Sequence, residues 1–224
     1  KWDWVNLEHG SIQQPPATLH TLDDIPYCTA DDMHVFFTTL MSRTRTLWLQ
    51  ESPDFVSCLT RFPPLDLLEV SSLRIHQDTP LSTDEFERLG EMIQRSNHLT
   101  SLHLALNLQE APLPMLESLV NATNIQHLRC QLSVTAYLQQ MQSSILVEEG
   151  ISGVGVLLLQ NPQSRLQYLA LDHIGLQDHH FIAIAQALPE SHLQRLDVNG
   201  NDIQSGAILE FAKQLPNIQS LKSI

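Results

Sequence analysis

The chain is poor in the residues that staple, anchor or punctuate a protein. Its three cysteines, Cys28, Cys58 and Cys130, make no even disulfide framework in 224 residues. A reducing, cytosolic working compartment is therefore expected. No apolar run approaches the length of a membrane-spanning helix, and no secretory leader is visible, so no membrane span is expected. Lysine and arginine are scarce, 12 against 25 Asp and Glu, for a formal charge of −13. That balance argues against nucleic acid as a partner, since a long polyanion would be repelled. Glycine numbers only eight, three of them inside 143–155. The Gly-rich phosphate loop, the dinucleotide fingerprint and the G-x-S-x-G nucleophile elbow are all absent. No catalytic residue and no cofactor is expected, and the chain reads as a non-enzyme.

What is present is a hexapeptide, L-x-x-L-x-L, that recurs down the chain. Copies begin at Val70, Leu99, Ile125, Leu166, Leu193 and Ile218, at intervals of 29, 26, 41, 27 and 25 residues. A weaker copy begins at Thr44 and a poor one at Leu19. Alternation over the L-x-L part predicts a short strand, leucines on one face and the intervening residues on the other. Behind each strand, a polar turn leads to apolar residues spaced by three and four, the pattern of a helix with one buried stripe. Phe86, Leu89, Met92 and Ile93 form one such set. Phe181, Ile184, Ala185 and Leu188 form a second, and Ile208, Leu209, Ala212 and Leu215 a third. Ser82 with Glu85 predicts a reciprocal cap at one helix start. Asp31 and Asp178 favour two other starts through the helix dipole. Self-similarity at this period predicts a leucine-rich repeat solenoid, an α/β fold whose units stack because none can bury its apolar side alone. Parallel strands would line the concave face of a curved horseshoe fragment, with helices on its convex face.

Units of this length, each with a full helix, resemble the ribonuclease-inhibitor-like type of leucine-rich repeat. The best unit runs from Leu193 to Ile203 and carries Asn201 where that family has an asparagine after the strand. Asn107 holds the matching place earlier, whereas Ser52, Asp78, Ser133 and Ile174 stand there in other units. The resemblance implies a protein–protein interaction surface on the strands. The same type of repeat also serves regulators of catalysis, namely GTPase-activating proteins and substrate receptors of ubiquitin ligases. Abundant Gln, Asn and His, few lysines and degenerate repeats are similar to the effector proteins that intracellular bacteria deliver into host cells, which would place the chain in a host cytosol.

Residues 1–18 do not match the repeat, and Trp2, Trp4, Val5 and Leu7 are apolar enough to cap its first unit. Residues 19–224 read as one repeat domain of about seven units. The interval of 41 implies an insertion near 142–155, expected as a break between two helices or a protruding loop. It is either a tolerated surface insertion or an element that touches a partner. The sequence lacks an initiator Met and stops at Ile224, directly after a hexapeptide, so a fragment or a trimmed ordered region is expected, and the chain is expected to be a monomer.

The outward strand positions contradict the net charge. The residue between the last two leucines reads Trp48, Arg74, His103, Arg129, Ala170, Asp197 and Lys222 from copy to copy. The residue before the second leucine reads Thr46, Ser72, Ser101, His127, Tyr168, Arg195 and Ser220. Neighbouring strands lie about 4.8 Å apart, so Arg74, His103, His127 and Arg129 should form one patch between Trp48 and Tyr168. Arginine and aromatic residues dominate binding hot spots. The expected partner-binding residues are thus Trp48, Arg74, His76, His103, His127, Arg129, Tyr168, Arg195 and Asp197. The expected partner is a protein with an acidic or phosphorylated surface. Asp84, Glu85, Glu87 and Glu91 fall on a helix as solvated outer charge.

Eleven histidines invite a metal reading. His179 and His180 adjoin Asp178, with His173 close by, but neighbours on a helix point about 100° apart and rarely share an ion. His103 and His127 should face outward while Cys130 faces inward, which splits that set. No metal site is expected. Asp172 and Asp197 come near each other beside Tyr168 and Arg195, where an ion pair with Arg195 is the simpler expectation than acid–base chemistry.

Overall fold

The computed structural model describes residues 17–19, 45–50, 69–78, 80–107, 111, 113–132 and 150–224. They form a mixed α/β structure on one sheet. Strands β1 (Ala17–Leu19), β2 (Thr46–Gln50), β3 (Ser72–His76), β4 (Ser101–Ala105), β5 (His127–Gln131), β6 (Tyr168–Asp172) and β7 (Arg195–Asp197) pair in chain order, all in parallel. Helix α1 (Thr83–Arg95) follows β3, α2 (Leu113–Asn121) follows β4 and α3 (Gly150–Gln160) follows β5. Helix α4 (Asp178–Ala187) follows β6 and α5 (Ser205–Gln214) follows β7. Each helix contacts the next one in sequence, so the helices form a second layer beside the strands.

Parallel neighbours require a crossover, and here the helix is that crossover. The strand alternation sets which face is buried. Leu73, Ile75, Leu102, Leu104, Leu128, Cys130, Leu169, Leu171 and Leu196 are all buried on the helix side. Burial pushes the Cys130 thiol up to about 12, so it stays a neutral, small apolar group. Among the described residues no helix covers the opposite face, which carries the polar positions.

A repeated backbone device locks unit to unit. The carbonyl just before a strand accepts two successive N–H groups from the following unit. Arg45 takes those of Ser71 and Ser72, Ser71 those of Thr100 and Ser101, and Thr100 those of Gln126 and His127. Gln126, Gln167 and Gln194 repeat the pattern. The bond from Gln167 back to Gln126 spans the long interval, so the insertion leaves the sheet register unbroken.

Local signals act as expected at several places. Ser82 and Glu85 form the reciprocal cap of α1, with the Ser82 N–H donating to Glu85 Oε2 at 2.9 Å. Phe86, Leu89, Met92 and Ile93 are buried on α1, and Phe181, Ile184, Ala185 and Leu188 at α4. Asp178 opens α4, and its Oδ1 also accepts from the Gln204 N–H of the next unit at 2.7 Å. Asn201 performs the expected bridging after β7. Its Nδ2 donates to the carbonyls of Leu171 and Val198, and its Oδ1 accepts from the N–H groups of Ile174 and Leu176. Asn107 does not repeat this bridge, since its Oδ1 has no partner among the described residues.

Other expectations are corrected. On α5 the predicted stripe is exposed: Ile208 and Leu209 retain 53% and 64% of their surface, and Ala212 and Leu215 are exposed too. Ala207 and Phe211 are buried instead, with Phe211 stacked on Phe181 at 5.3 Å. The two stripes lie one residue apart, and docking on α4 selects between them. Residues 150–155 are helix rather than protruding loop, while the other expectation, a break between two helices, falls on residues outside the description. A Cβ on Gly155 would sit 3.1 Å from the Leu171 side chain, so glycine there admits a close helix–strand approach. The copy beginning at Ile218 contributes one bridge, Arg195 to Ser223, rather than a strand. Strand β1 straddles the expected boundary at 18/19 and sets Ala17, not Leu22, opposite Leu47. The caps proposed for Trp2, Trp4, Val5, Leu7 and Asp31, together with Cys28, Cys58, Ser52, Ser133 and the first part of the insertion, lie outside the described residues.

Candidate binding face of the sheet

Lateral register brings the outward columns together. Trp48, Arg74, His103, Arg129, Ala170 and Asp197 pair in sequence across β2 to β7. Beside them run Thr46, Ser72, Ser101, His127, Tyr168 and Arg195. A third column reads Gln50, His76, Ala105, Gln131 and Asp172. Trp48 is placed here by its backbone pairing with Arg74, and its side chain lies outside the description.

Ala170 interrupts the main row. It is fully buried on the open side, flanked in register by Arg129 and Asp197, because its methyl group is overtopped by longer neighbours. The face therefore has two neighbouring centres, with Arg129 within electrostatic reach of both. The first is Arg74–His103–Arg129 on β3, β4 and β5. The second is Tyr168–Arg195–Asp197 on β6 and β7.

The second centre is internally satisfied. Arg195 grips Asp197 with two bonds, Nε to Oδ1 at 3.1 Å and Nη2 to Oδ2 at 2.9 Å. The Tyr168 hydroxyl donates to the same Oδ2 at 2.8 Å, and the Arg195 guanidinium lies 5.2 Å from the Tyr168 ring centre. The Arg195 bonds lower the Asp197 carboxyl, with burial opposing them. Burial first, then Asp197, raises the Tyr168 phenol. The His127 ring, exposed, lies 6.3 Å from Tyr168. An ion pair thus occupies the place where paired acids were weighed.

The first centre has unspent hydrogen-bonding capacity. Both ring nitrogens of His103 and the Nε of Arg129 are screened from solvent and have no partner among the described residues. Gln131 approaches the His103 ring and raises its basicity slightly, without closing a hydrogen bond. Burial, then the charges of Arg74 and Arg129, push the imidazole down to about 4. His103 is consequently a neutral ring at pH 7, not a third cation. Arg129 also reaches sideways, its Nη2 2.9 Å from Asp172 Oδ2. Asp172 retains only 3% of its surface, and its other oxygen accepts from the Asn199 N–H and side-chain amide at 3.3 Å each. A buried carboxylate needs such partners.

Asp172 was expected near Asp197 but not among the binding residues, and its pairing with Arg129 is what sequence reasoning missed. It stands one place beyond the last leucine, in line with His76 and Gln131, and reading that third column would have found it. Lys222 lies beyond β7, donating from Nζ to Gln194 Oε1 at 2.8 Å. The Nδ1 of His180 accepts from the Gln177 N–H at 3.2 Å, which engages it in the start of α4. Among the described residues no group of three or more His, Cys, Asp or Glu is placed to hold a metal ion. Among them, too, no helix is long and apolar enough to cross a membrane. No protein-family model and no curated protein matches the chain.

Proposed function

We propose that the chain is a leucine-rich repeat solenoid of the ribonuclease-inhibitor-like type, and that its open strand face docks an acidic or phosphorylated segment of another protein without catalysis of its own. The chain-order parallel sheet, the backbone lock repeated from unit to unit and the Asn201 bridge support the solenoid reading. So does the covering of the sheet on one side only among the described residues, since doubly wound parallel sheets are buried on both faces and read as unbroken apolar strands.

The observation that carries the docking reading is the Arg74–His103–Arg129 row. It sets two guanidinium groups around a neutral imidazole on a face that no described helix covers, with the His103 ring nitrogens and the Arg129 Nε unpartnered among the described residues. A preformed sheet also loses little freedom on binding, which limits the cost of association. The test is an array of acidic, phosphorylated and neutral peptides probed with the native chain and with Arg74→Glu, folding being checked by circular dichroism. Retention of acidic or phosphorylated peptides that Arg74→Glu abolishes is expected. Retention unchanged by Arg74→Glu would overturn the reading.

A further inference from the structure

The first centre is unusual in pairing two cations with a screened, unpartnered imidazole between them. A screened donor or acceptor without a partner is unfavourable, and such an arrangement persists only where something offsets it. The groups facing His103 are Arg74 and His76 from β3 and Arg129, His127 and Gln131 from β5, with Asp172 of β6 holding Arg129 from the far side. No carboxylate adjoins the ring directly in register. Arg74 is exposed and Arg129 half-exposed, so both guanidinium groups lie where a ligand on this face would meet them.

Resting on the docking reading above, we propose that the Arg74–His103–Arg129 row captures the phosphoryl group of a phosphorylated side chain on a partner protein, and that its arrival makes His103 easier to protonate. Three donors from three adjacent strands match the three terminal oxygens of a phosphomonoester, whereas a carboxylate offers two. The Nε of Arg129 is unspent, while its Nη2 stays with Asp172. A dianion seated between the arginines cancels the two charges that keep the ring neutral, and it supplies an acceptor for the new N–H. The chain's charge of −13 selects against anionic membranes and nucleic acid, whose many charges it repels, and leaves a single phosphate on a short peptide segment as the favoured anion.

The probe is a capped heptapeptide of alanines with one central phosphoserine, used at millimolar concentration beside its unphosphorylated twin, an acidic twin with glutamate at the centre, and inorganic phosphate. The readout is the His103 ring titration by NMR in the native chain, Arg74→Glu and His103→Gln, each first shown to be folded by its amide spectrum. The free ring should titrate near 4. Saturation with the phosphopeptide should raise that midpoint by about 1–3 pH units, the range for an opposite charge within a few ångströms. The unphosphorylated twin should leave it unmoved, and Arg74→Glu should abolish the rise. His103→Gln should still bind, with that titration lost. Phosphopeptide binding with an unmoved His103 midpoint would overturn this inference and leave the docking reading standing. So would binding of the glutamate peptide alone, or a rise that inorganic phosphate reproduces in full. Binding of none of these probes would overturn both.

Discussion

Arg129 ties the open face together, because its guanidinium serves both the His103 row and the buried Asp172. Arg129→Ala would leave that carboxylate with the Asn199 donors alone. A loss of about 2 kcal/mol is expected, below the value for a fully buried pair because Arg129 is half-exposed. Adding Asp172→Asn to the same chain should recover most of it, as a double-mutant cycle in urea would read; additive losses would contradict the pairing. His103 gives a pH dependence of definite sign. Its folded value is lowered from 6.5 to about 4, so the unfolded chain binds the proton first as the pH falls. The stability it contributes is complete above about 6.5 and is lost between there and about 4. Full weight would be roughly 3 kcal/mol, and solvent screening on an open face reduces it to about 1–2 kcal/mol. Acid titration of native chain against His103→Gln should show that difference, and parallel curves would contradict it. Neither effect was readable in the sequence. The columns predicted which residues stand side by side, but the loss of charge at His103 and the sideways reach of Arg129 arise only once three strands are in register.

At the scale of the element, close approaches decide the sign of small substitutions. A Cβ on Gly90 of α1 would meet the Met115 Cα at 3.0 Å and the Ser118 Cβ at 3.1 Å on α2. Backbone cannot yield as a side chain can, so Gly90→Ala should cost about 1–2 kcal/mol despite alanine's better helix propensity. Gly153 of α3 has nothing within 4 Å, and Gly153→Ala should stabilise by about 0.5–1 kcal/mol. Thermal melts of the two variants should move in opposite directions; a common direction would contradict the helix–helix geometry. Element types were largely legible, because the hexapeptide marks β2 to β7 and the capping box marks α1. The misreading was at α5, and at 150–155 the loop, one of two expectations, gave way to helix. On α5 two stripes one residue apart both satisfy helical spacing, and only contact with α4 distinguishes Ala207 and Phe211 from Ile208 and Leu209. At 150–155 glycine content suggested a loop, whereas Gly155 is there for proximity to Leu171.

For the whole molecule, pairing in chain order makes each unit depend chiefly on its neighbours. Stability in such an array is a sum of unit and interface contributions, so damage should spread locally. Phe211→Ala removes the ring stacked on Phe181 and should cost about 3 kcal/mol. Amide exchange in that variant should lose protection over 193–224 while 99–132 keeps it, and uniform loss along the chain would contradict the arrangement. The same locality is what lets the long interval before Leu166 be absorbed without disturbing the β5–β6 register. The function proposed for the face depends on it too, since His103 meets its two arginines only through lateral neighbours.

Mapping the phosphoserine peptide onto the amide and side-chain spectra of the native chain shows where the phosphate seats. The largest shifts should fall on Arg74, His76, His103 and Arg129, spread to His127 and Tyr168, and vanish in Arg74→Glu. Shifts confined to the helices, or to the segment 142–155, would contradict that placement.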